Sequence, residues 1–368
     1  MNIAFVLLTH NPDEPAGIER SVAALAEGLR ALGHPTLIVA AGPATPSDPA
    51  QLIRLKSLAL PRPAVEEDLA RLLADPAPVT REVGGLLAEH RVDLVCWVDA
   101  VWGLGYLSPA PAGTATALMV HVPRTDAPLR QSLEHRPRRV VTVSPFMVRE
   151  LARQGLDTAS WAVVPNALLH EVPPPAPAAR EELRRNGPVR IVARAEPHKG
   201  IAELLRAVPR VRTRPVEIVL AEAGFEYWPG MQHDVIRECK ALAEELEQVR
   251  ILPGMPWQDV PAFLAGAAVT VVSSTSPETF GNVAAEALSV GTPVVGYGLG
   301  HLPDLVGAAG RMTDLEEGAD RLWRDLTGFL SDRVAYHTAA QEGPRRAAAY
   351  RPAAVARAFL DATAGIRA

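Results

Sequence analysis

Short apolar runs alternate with segments whose apolar positions recur at helical spacing. Ile3 to Leu8 reads as a buried strand, since a continuous apolar run of that length suits a strand covered on both faces. From Gly17 the chain runs GIERSVAALAEGLRALG. Ile18, Val22, Leu25, Leu29 and Leu32 lie on one helical stripe, and Gly33 suits the C-terminal cap. Further strands are expected at Thr36–Ala40, Asp93–Val98, Ala115–Val120, Arg139–Val143 and Trp161–Val164. Such alternation predicts a parallel sheet with helices on both faces.

Glu171 to Ala179 reads EVPPPAPAA, whose four prolines predict a stiff linker, extending over 171–186, rather than a regular element. The alternation then restarts. Strands are expected at Val189–Ala193, Val216–Ala221, Val249–Leu252, Ala268–Ser273 and Pro293–Gly296, and helices at Ile201–Val211, Met231–Glu247 and Asn282–Val290. A last helix begins near Tyr350, with Val355, Phe359 and Leu360 apolar. The domains expected are 1–170 and 187–349. A chain of 368 residues suits two such domains, and a hydrophobic fraction of 48% supplies their cores.

Charge and cysteine content narrow the function. A net charge of −5 gives no electrostatic case for binding nucleic acid. Cys96 and Cys239 lie in no metal or redox pattern and fit a reducing cytoplasm. MNIAFVLLTHNP lacks the basic start of a signal peptide, and no apolar stretch reaches the roughly 18 residues of a membrane span. Lysine occurs only at Lys56, Lys199 and Lys240, against many arginines, alanines and prolines, which suggests a high-GC bacterial genome.

The stretch SSTSPETFGNVAAEALSVGTPVVGYGLGHLPD carries the most chemistry. Glu286 is its one formal charge between Glu278 and Asp304. A carboxylate in an alanine-rich helix against a sheet either faces solvent or has a partner that offsets its burial. The helix opens directly after the strand VTVVSS, so Glu278 falls in the strand-end loop and Glu286 about one turn into the helix. Backbone amides of Phe280, Gly281 and Asn282 lie at that helix N-terminus, which suits phosphate or sugar oxygens. A carboxylate also accepts well from a vicinal diol. In VRIVARAEPHKGIAELL, Arg194 and Lys199 flank another strand-end loop and Gly200 opens a helix. Two cations there suit a diphosphate, unless they are ordinary solvated loop charges. Gly17 after a polar loop and His121 after the strand ATALMV are weaker signals, each open to a structural reading.

Together these residues resemble the retaining glycosyltransferases of family 4. Glu278 and Glu286 match the family's pair of glutamates separated by seven residues. Arg194 and Lys199 in ARAEPHKG match its basic pair, and AGIERSVAALAEGLRALGH its first glycine-rich loop. His121 matches its strand-end histidine, and Pro165 with Asn166 its domain crossover. The resemblance implies the GT-B fold, two Rossmann-like doubly wound parallel-sheet α/β domains facing a central cleft, with a C-terminal helix (about 350–368) packing back on the N-terminal domain. It also implies a nucleoside-diphosphate sugar as donor and co-substrate, no cofactor and no metal. Arg194 and Lys199 would neutralise the leaving diphosphate. Glu286 would hold the ribose, and Glu278 with the Phe280 and Gly281 amides the sugar, near Asn282. His121 would reach the sugar, and Gly17 would approach the phosphate. Acceptor candidates are Asp99, Trp102, Tyr106 and Arg124.

Departures from the family pattern stand at Ala16-Gly17 for the double glycine, Ala167 after Asn166, His301 for a glycine and Asp304 for a glutamate. AEAGFEYWPG follows the strand Val216–Ala221, where the family has Gly-x-Gly. The acidic balance favours a small soluble acceptor, and a secondary-metabolite pathway suits a high-GC genome. Rival readings are a hydrolysing sugar-nucleotide epimerase, a pseudo-glycosyltransferase forming C–N bonds and a non-catalytic sugar-nucleotide binder.

Overall fold

In a computed structural model describing residues 1–11, 16–99, 111, 113–168, 171–209 and 214–365, the chain divides into two units, each on its own parallel sheet. The first holds β1 (Ile3–Thr9), β2 (Thr36–Ala41), β3 (Leu52–Arg54), β4 (Leu94–Asp99), β5 (Ala115–Val120), β6 (Arg139–Thr142) and β7 (Ala162–Val163). They lie in the order β3-β2-β1-β4-β5-β6-β7. Its helices are α1 (Gly17–Ala31), α2 (Glu66–Leu72), α3 (Ala77–Glu89), α4 (Ala127–Glu134) and α5 (Pro145–Arg153).

Ile3 to Leu8 are all buried, as an apolar run in a sheet covered on both faces must be. The α1 stripe turns Val22, Leu25 and Leu29 into the core. The helix ends on Gly33 at φ +86°, with the Gly33 amide donating to Arg30 O (2.9 Å) and the His34 amide to Leu29 O (3.0 Å). That pair of bonds is the Schellman cap, and it needs the left-handed backbone that glycine adopts without strain. The chain returns to this unit at Tyr350, and its last helix, Pro352–Ala362, packs on α1. Phe359 meets Phe5 at 5.5 Å between ring centroids, and a Cβ on Gly28 would lie 2.2 Å from Pro352 O. The helices meet closely because α1 has no side chain at that point.

The second unit holds β8 (Val189–Arg194), β9 (Val216–Ala221), β10 (Val249–Leu252), β11 (Val269–Val272), β12 (Val294–Tyr297) and β13 (Gly310–Thr313), in the order β10-β9-β8-β11-β12-β13. Its helices are α6 (Pro177–Asn186), α7 (Ile201–Arg206), α8 (Met231–Glu244), α9 (Val260–Ala265), α10 (Asn282–Ser289), α11 (Leu302–Val306), α12 (Gly318–Ser331) and α13 (Arg333–Ala347).

One expectation is corrected here. Residues 177–186, assigned to an extended linker on proline content, form α6. Pro177 starts the helix, where its missing N–H is no loss. Glu181 then pairs with Arg184 at 2.8 Å and with Arg185 at 2.9 Å. Arg180 is buried and donates to Ala267 O (2.8 Å), Val290 O (3.1 Å) and Thr292 Oγ1 (3.0 Å), so α6 is bolted to the second sheet's loops. The helix expected from Ile201 to Val211 stops at Arg206, shortly before Pro209, which disfavours helix at the residue preceding it.

Each sheet grows outward through its first three strands and then adds the fourth on the other side of the first, so the switch points lie between β1 and β4 and between β8 and β11. In open parallel sheets such a switch point, at the strands' carboxyl ends, is the usual place for a ligand.

Candidate active site

At the β8/β11 switch point Arg194, Lys199 and Glu278 come together. Gly200 adopts φ +67°, and a Cβ there would lie 2.3 Å from Ser273 O. The turn after β8 therefore presses directly on the end of β11. Ser273 Oγ donates to Lys199 O (2.8 Å), and the Thr275 amide donates to His198 O (2.8 Å). The loop after β12 closes on the same spot. Gly300, at φ +65°, would bring a Cβ within 2.3 Å of Glu278 O, and the His301 amide donates to that oxygen at 2.8 Å. Three strand-end loops are thus tied by backbone contacts that leave no room for a side chain.

This packing puts Lys199 Nζ 2.7 Å from Glu278 Oε1, across 79 residues of sequence. Ser274 Oγ also donates to Glu278 Oε1. Burial disfavours the Glu278 carboxylate, but the charge and hydrogen bond of Lys199, the Ser274 hydroxyl and Arg194 outweigh it and hold its pKa below the ordinary carboxylate value. Arg194 Nη1 lies 3.0 Å from Glu196 Oε1, and His198 Nε2 lies 3.1 Å from Glu196 Oε2. Glu196 is buried and tethers the base of the half-exposed Arg194 guanidinium. Burial and the charges of Lys199 and Arg194 lower the His198 pKa against the opposing pull of Glu196 and Glu278, which favours a neutral ring.

Gly281, at φ +96°, is the N-cap of α10, and a Cβ on it would lie 2.8 Å from Leu302 Cδ2. Phe280 is buried beside His301, their ring centroids 5.8 Å apart. Asn282 opens α10. Glu286 is only 7% exposed, between Ala285 and Ala287, which removes the alternative of an ordinary solvent-facing helical glutamate.

In the first unit, His121 is buried at the end of β5, with the Asn166 side chain acting on its ring. Burial lowers its pKa to about 4, against the opposing effect of Asn166. Gly17 is the first residue of α1. Two residues on, buried Glu19 accepts the Asn11 amide (3.0 Å) and the Thr9 hydroxyl, pinning the chain where it leaves β1. Arg124 is held by Asp126 (2.5 Å) and Glu66 (3.4 Å). Asp99 ends β4, but its side chain, like Trp102 and Tyr106 entirely, lies outside the described residues. Among the described residues no cluster of histidine, cysteine, aspartate and glutamate is placed to hold a metal ion.

His10 behaves like His121. Its pKa falls to about 4 through burial and the charge of Arg54, with Asp48 opposing. Both imidazoles are neutral in the folded protein, whereas in the unfolded chain they protonate near pH 6.5. The unfolded state then binds more protons between these values, so native stability should fall as pH drops from about 6.5 towards 4. Each histidine contributes a slope of about 1.4 kcal/mol per pH unit inside that window. Urea unfolding across the range should show the decline, and His121→Gln should flatten part of it. A flat profile in the parent protein would mean that both rings take up protons as readily in the folded state as in the unfolded one.

The residues missed by sequence reasoning are those that position others, namely Glu196, His198, Ser273, Ser274 and Thr275. Each looked like a loop residue, and its role depends on a partner brought close by the fold.

The comparisons with known proteins agree with this layout. Residues 184–346 match the family described as "Glycosyl transferases group 1", and residues 15–172 match "Glycosyltransferase Family 4". The chain belongs to the family 4 glycosyltransferases. A D-inositol 3-phosphate glycosyltransferase of Nocardioides sp. is 30% identical over 149 residues, covering 38% of this chain and 31% of the relative. The match thus spans about a third of that relative's own length. A phosphatidyl-myo-inositol mannosyltransferase of Mycolicibacterium smegmatis is 27% identical over 91% of this chain and 87% of its own. Among solved structures, a sucrose-phosphate synthase from Thermosynechococcus elongatus superposes with a TM-score of 0.76 at 20% identity, covering 98% of this chain and 97% of its own. Anabaena HepE, solved with UDP and glucose, gives 0.75 at 18% identity, covering 99% and 100%. The fold of this family 4 chain is GT-B, with a seven-stranded and a six-stranded parallel sheet.

Proposed function

We propose that the enzyme transfers a sugar from a nucleoside-diphosphate donor to a hydroxyl of a small soluble acceptor, with retention at the anomeric carbon. The Lys199–Glu278 pair at the β8/β11 switch point, with Arg194 alongside, carries this reading. An ammonium has three donors, and only one is taken by Glu278, which leaves two for phosphate oxygens. Arg194 likewise keeps donors beyond the one facing Glu196.

In the reaction the anomeric C–O bond to the diphosphate breaks and a bond from the acceptor oxygen to the same carbon forms. The electron pair of the broken bond leaves on the diphosphate, which takes up the acceptor proton on a phosphate oxygen. Lys199 and Arg194 stabilise the growing negative charge there. Glu286 accepts from the ribose hydroxyls, while Glu278 and the Phe280 and Gly281 amides orient the sugar. The first unit, which carries His121 and Gly17, we assign to the acceptor. The name of the Nocardioides relative, an inositol phosphate glycosyltransferase, supports a small polyhydroxylated acceptor.

The test is incubation with a panel of isotopically labelled nucleotide sugars and candidate polyols, followed by NMR of the product. A new glycosidic bond with the donor's anomeric configuration is expected. Free sugar as the sole product with every acceptor, or an inverted linkage, would refute the proposal as stated.

A further inference from the structure

We propose that Tyr227 and Trp228 form a stacking platform for the base of the donor nucleotide, a role that rests on the donor-site reading above. Ala221, the last residue of β9, pairs in register with Arg194, the last residue of β8, and the Ala195 amide donates to Ala221 O at 2.8 Å. The loop after β9 therefore starts directly beside the cationic turn. It is held from within. Buried Glu226 accepts the Gly230 amide (2.8 Å) and the Gln232 amide (3.4 Å). Buried Gln232 in turn donates to Ala223 O (3.0 Å) and Phe225 O (3.3 Å) and accepts the Ala223 amide.

On this braced loop, Tyr227 is 53% exposed and Trp228 is 50% exposed. The other large hydrophobic residues exposed among the described ones, Met1, Val163 and Val334, are isolated from one another in sequence, so this pair stands apart as two adjacent rings. A loop with its own internal bonds has little need of exposed rings for folding, so apolar surface held outward suits a ligand. Its position says which ligand. The Tyr227 ring lies 5.9 Å from that of His198, and His198 adjoins Lys199. A ligand anchored by its diphosphate at Arg194 and Lys199 and carrying a flat aromatic group nearby is a nucleoside diphosphate. Bases offer a π-face to aromatic side chains whatever their identity. A glycine-rich loop could not supply such a face, so AEAGFEYWPG offers the ligand a surface that the Gly-x-Gly pattern lacks.

The experiment titrates the full chain with UDP, GDP, ADP, TDP and inorganic pyrophosphate, following tryptophan fluorescence and calorimetric heat. At least one nucleoside diphosphate should quench emission, and that quench should vanish in Trp228→Phe, while pyrophosphate binds without it. The Tyr227→Ala/Trp228→Ala double variant should weaken nucleoside diphosphate binding by roughly 10- to 100-fold, the range of base–aromatic stacking. Its pyrophosphate affinity should change less than twofold, and Trp228→Phe, which keeps a ring, should restore most of the loss. Equal losses for pyrophosphate and nucleotide, unchanged nucleotide affinity, or an effect confined to the acceptor's KM would each overturn the platform while leaving the donor site standing. No binding of either ligand to the parent protein would overturn both.

Discussion

Lys199→Ala is expected to lower turnover by roughly a hundred- to a thousand-fold, the usual loss when one preorganised donor to a developing oxyanion is removed. The charge on the leaving diphosphate grows as the glycosidic bond breaks, so the ammonium helps the transition state more than the bound ground state. Arg194→Ala should act in the same direction. Glu286→Gln differs in kind. It keeps the shape but weakens the grip on the ribose diol, so its loss should appear mainly in the donor's KM. Lys199→Ala has a second consequence, because Glu278 loses the cation that favours its ionised form. The Glu278 pKa is depressed in the folded parent protein, so its stabilising contribution is complete above the unfolded value and is lost as pH falls through the folded one. In Lys199→Ala that contribution should shrink, and adding Glu278→Gln should recover stability but not turnover. Steady-state kinetics and urea unfolding of the variants separate the two effects. Near-normal kcat in both Lys199→Ala and Arg194→Ala would reduce these residues to loop charges.

Gly200→Ala should be the most damaging of the conservative changes near the site. The added Cβ meets Ser273 O at 2.3 Å, and φ +67° is unfavourable for any residue with a side chain. Left-handed strain costs about 1–3 kcal/mol, and relieving the clash would separate the β8 turn from the end of β11. For a unit of this size each kcal/mol corresponds to roughly 2–4 °C in Tm. A fall of several degrees is expected, with turnover reduced as well, because the same movement draws Lys199 away from Glu278. Calorimetry and kinetics on the variant measure both. A parent-like Tm with parent-like kcat would show that the turn has room to relax and that the Lys199–Glu278 contact does not depend on it.

Much of the protein was legible in its sequence. A run such as Ile3 to Leu8 suits a strand covered on both faces, and the α1 stripe ends on a glycine suited to its cap. These signals are local, because backbone preference and apolar periodicity act over a few residues. The donor-side candidates were legible for a related reason. Arg194, Lys199, Glu278 and Glu286 are chemically conspicuous against their neighbours and sit at strand ends that periodicity locates.

What only the tertiary structure decided is pairing. Nothing near Lys199 in sequence names Glu278 as its partner, and Glu196 looked like any loop carboxylate until burial placed it between Arg194 and His198. Proline content argued for a linker across α6, yet Arg180 found three carbonyls on two connections of the second sheet and made that segment part of the unit. Glu286 could have faced water, and the packing of α10 in the second unit buried it. The strand order, 3-2-1-4-5-6 when the second unit's strands are numbered from β8, sets β8 beside β11. Local propensity shapes each strand and turn, but which strand ends become neighbours follows from burying all the helices and both sheet faces at once. That choice placed the ammonium against the carboxylate.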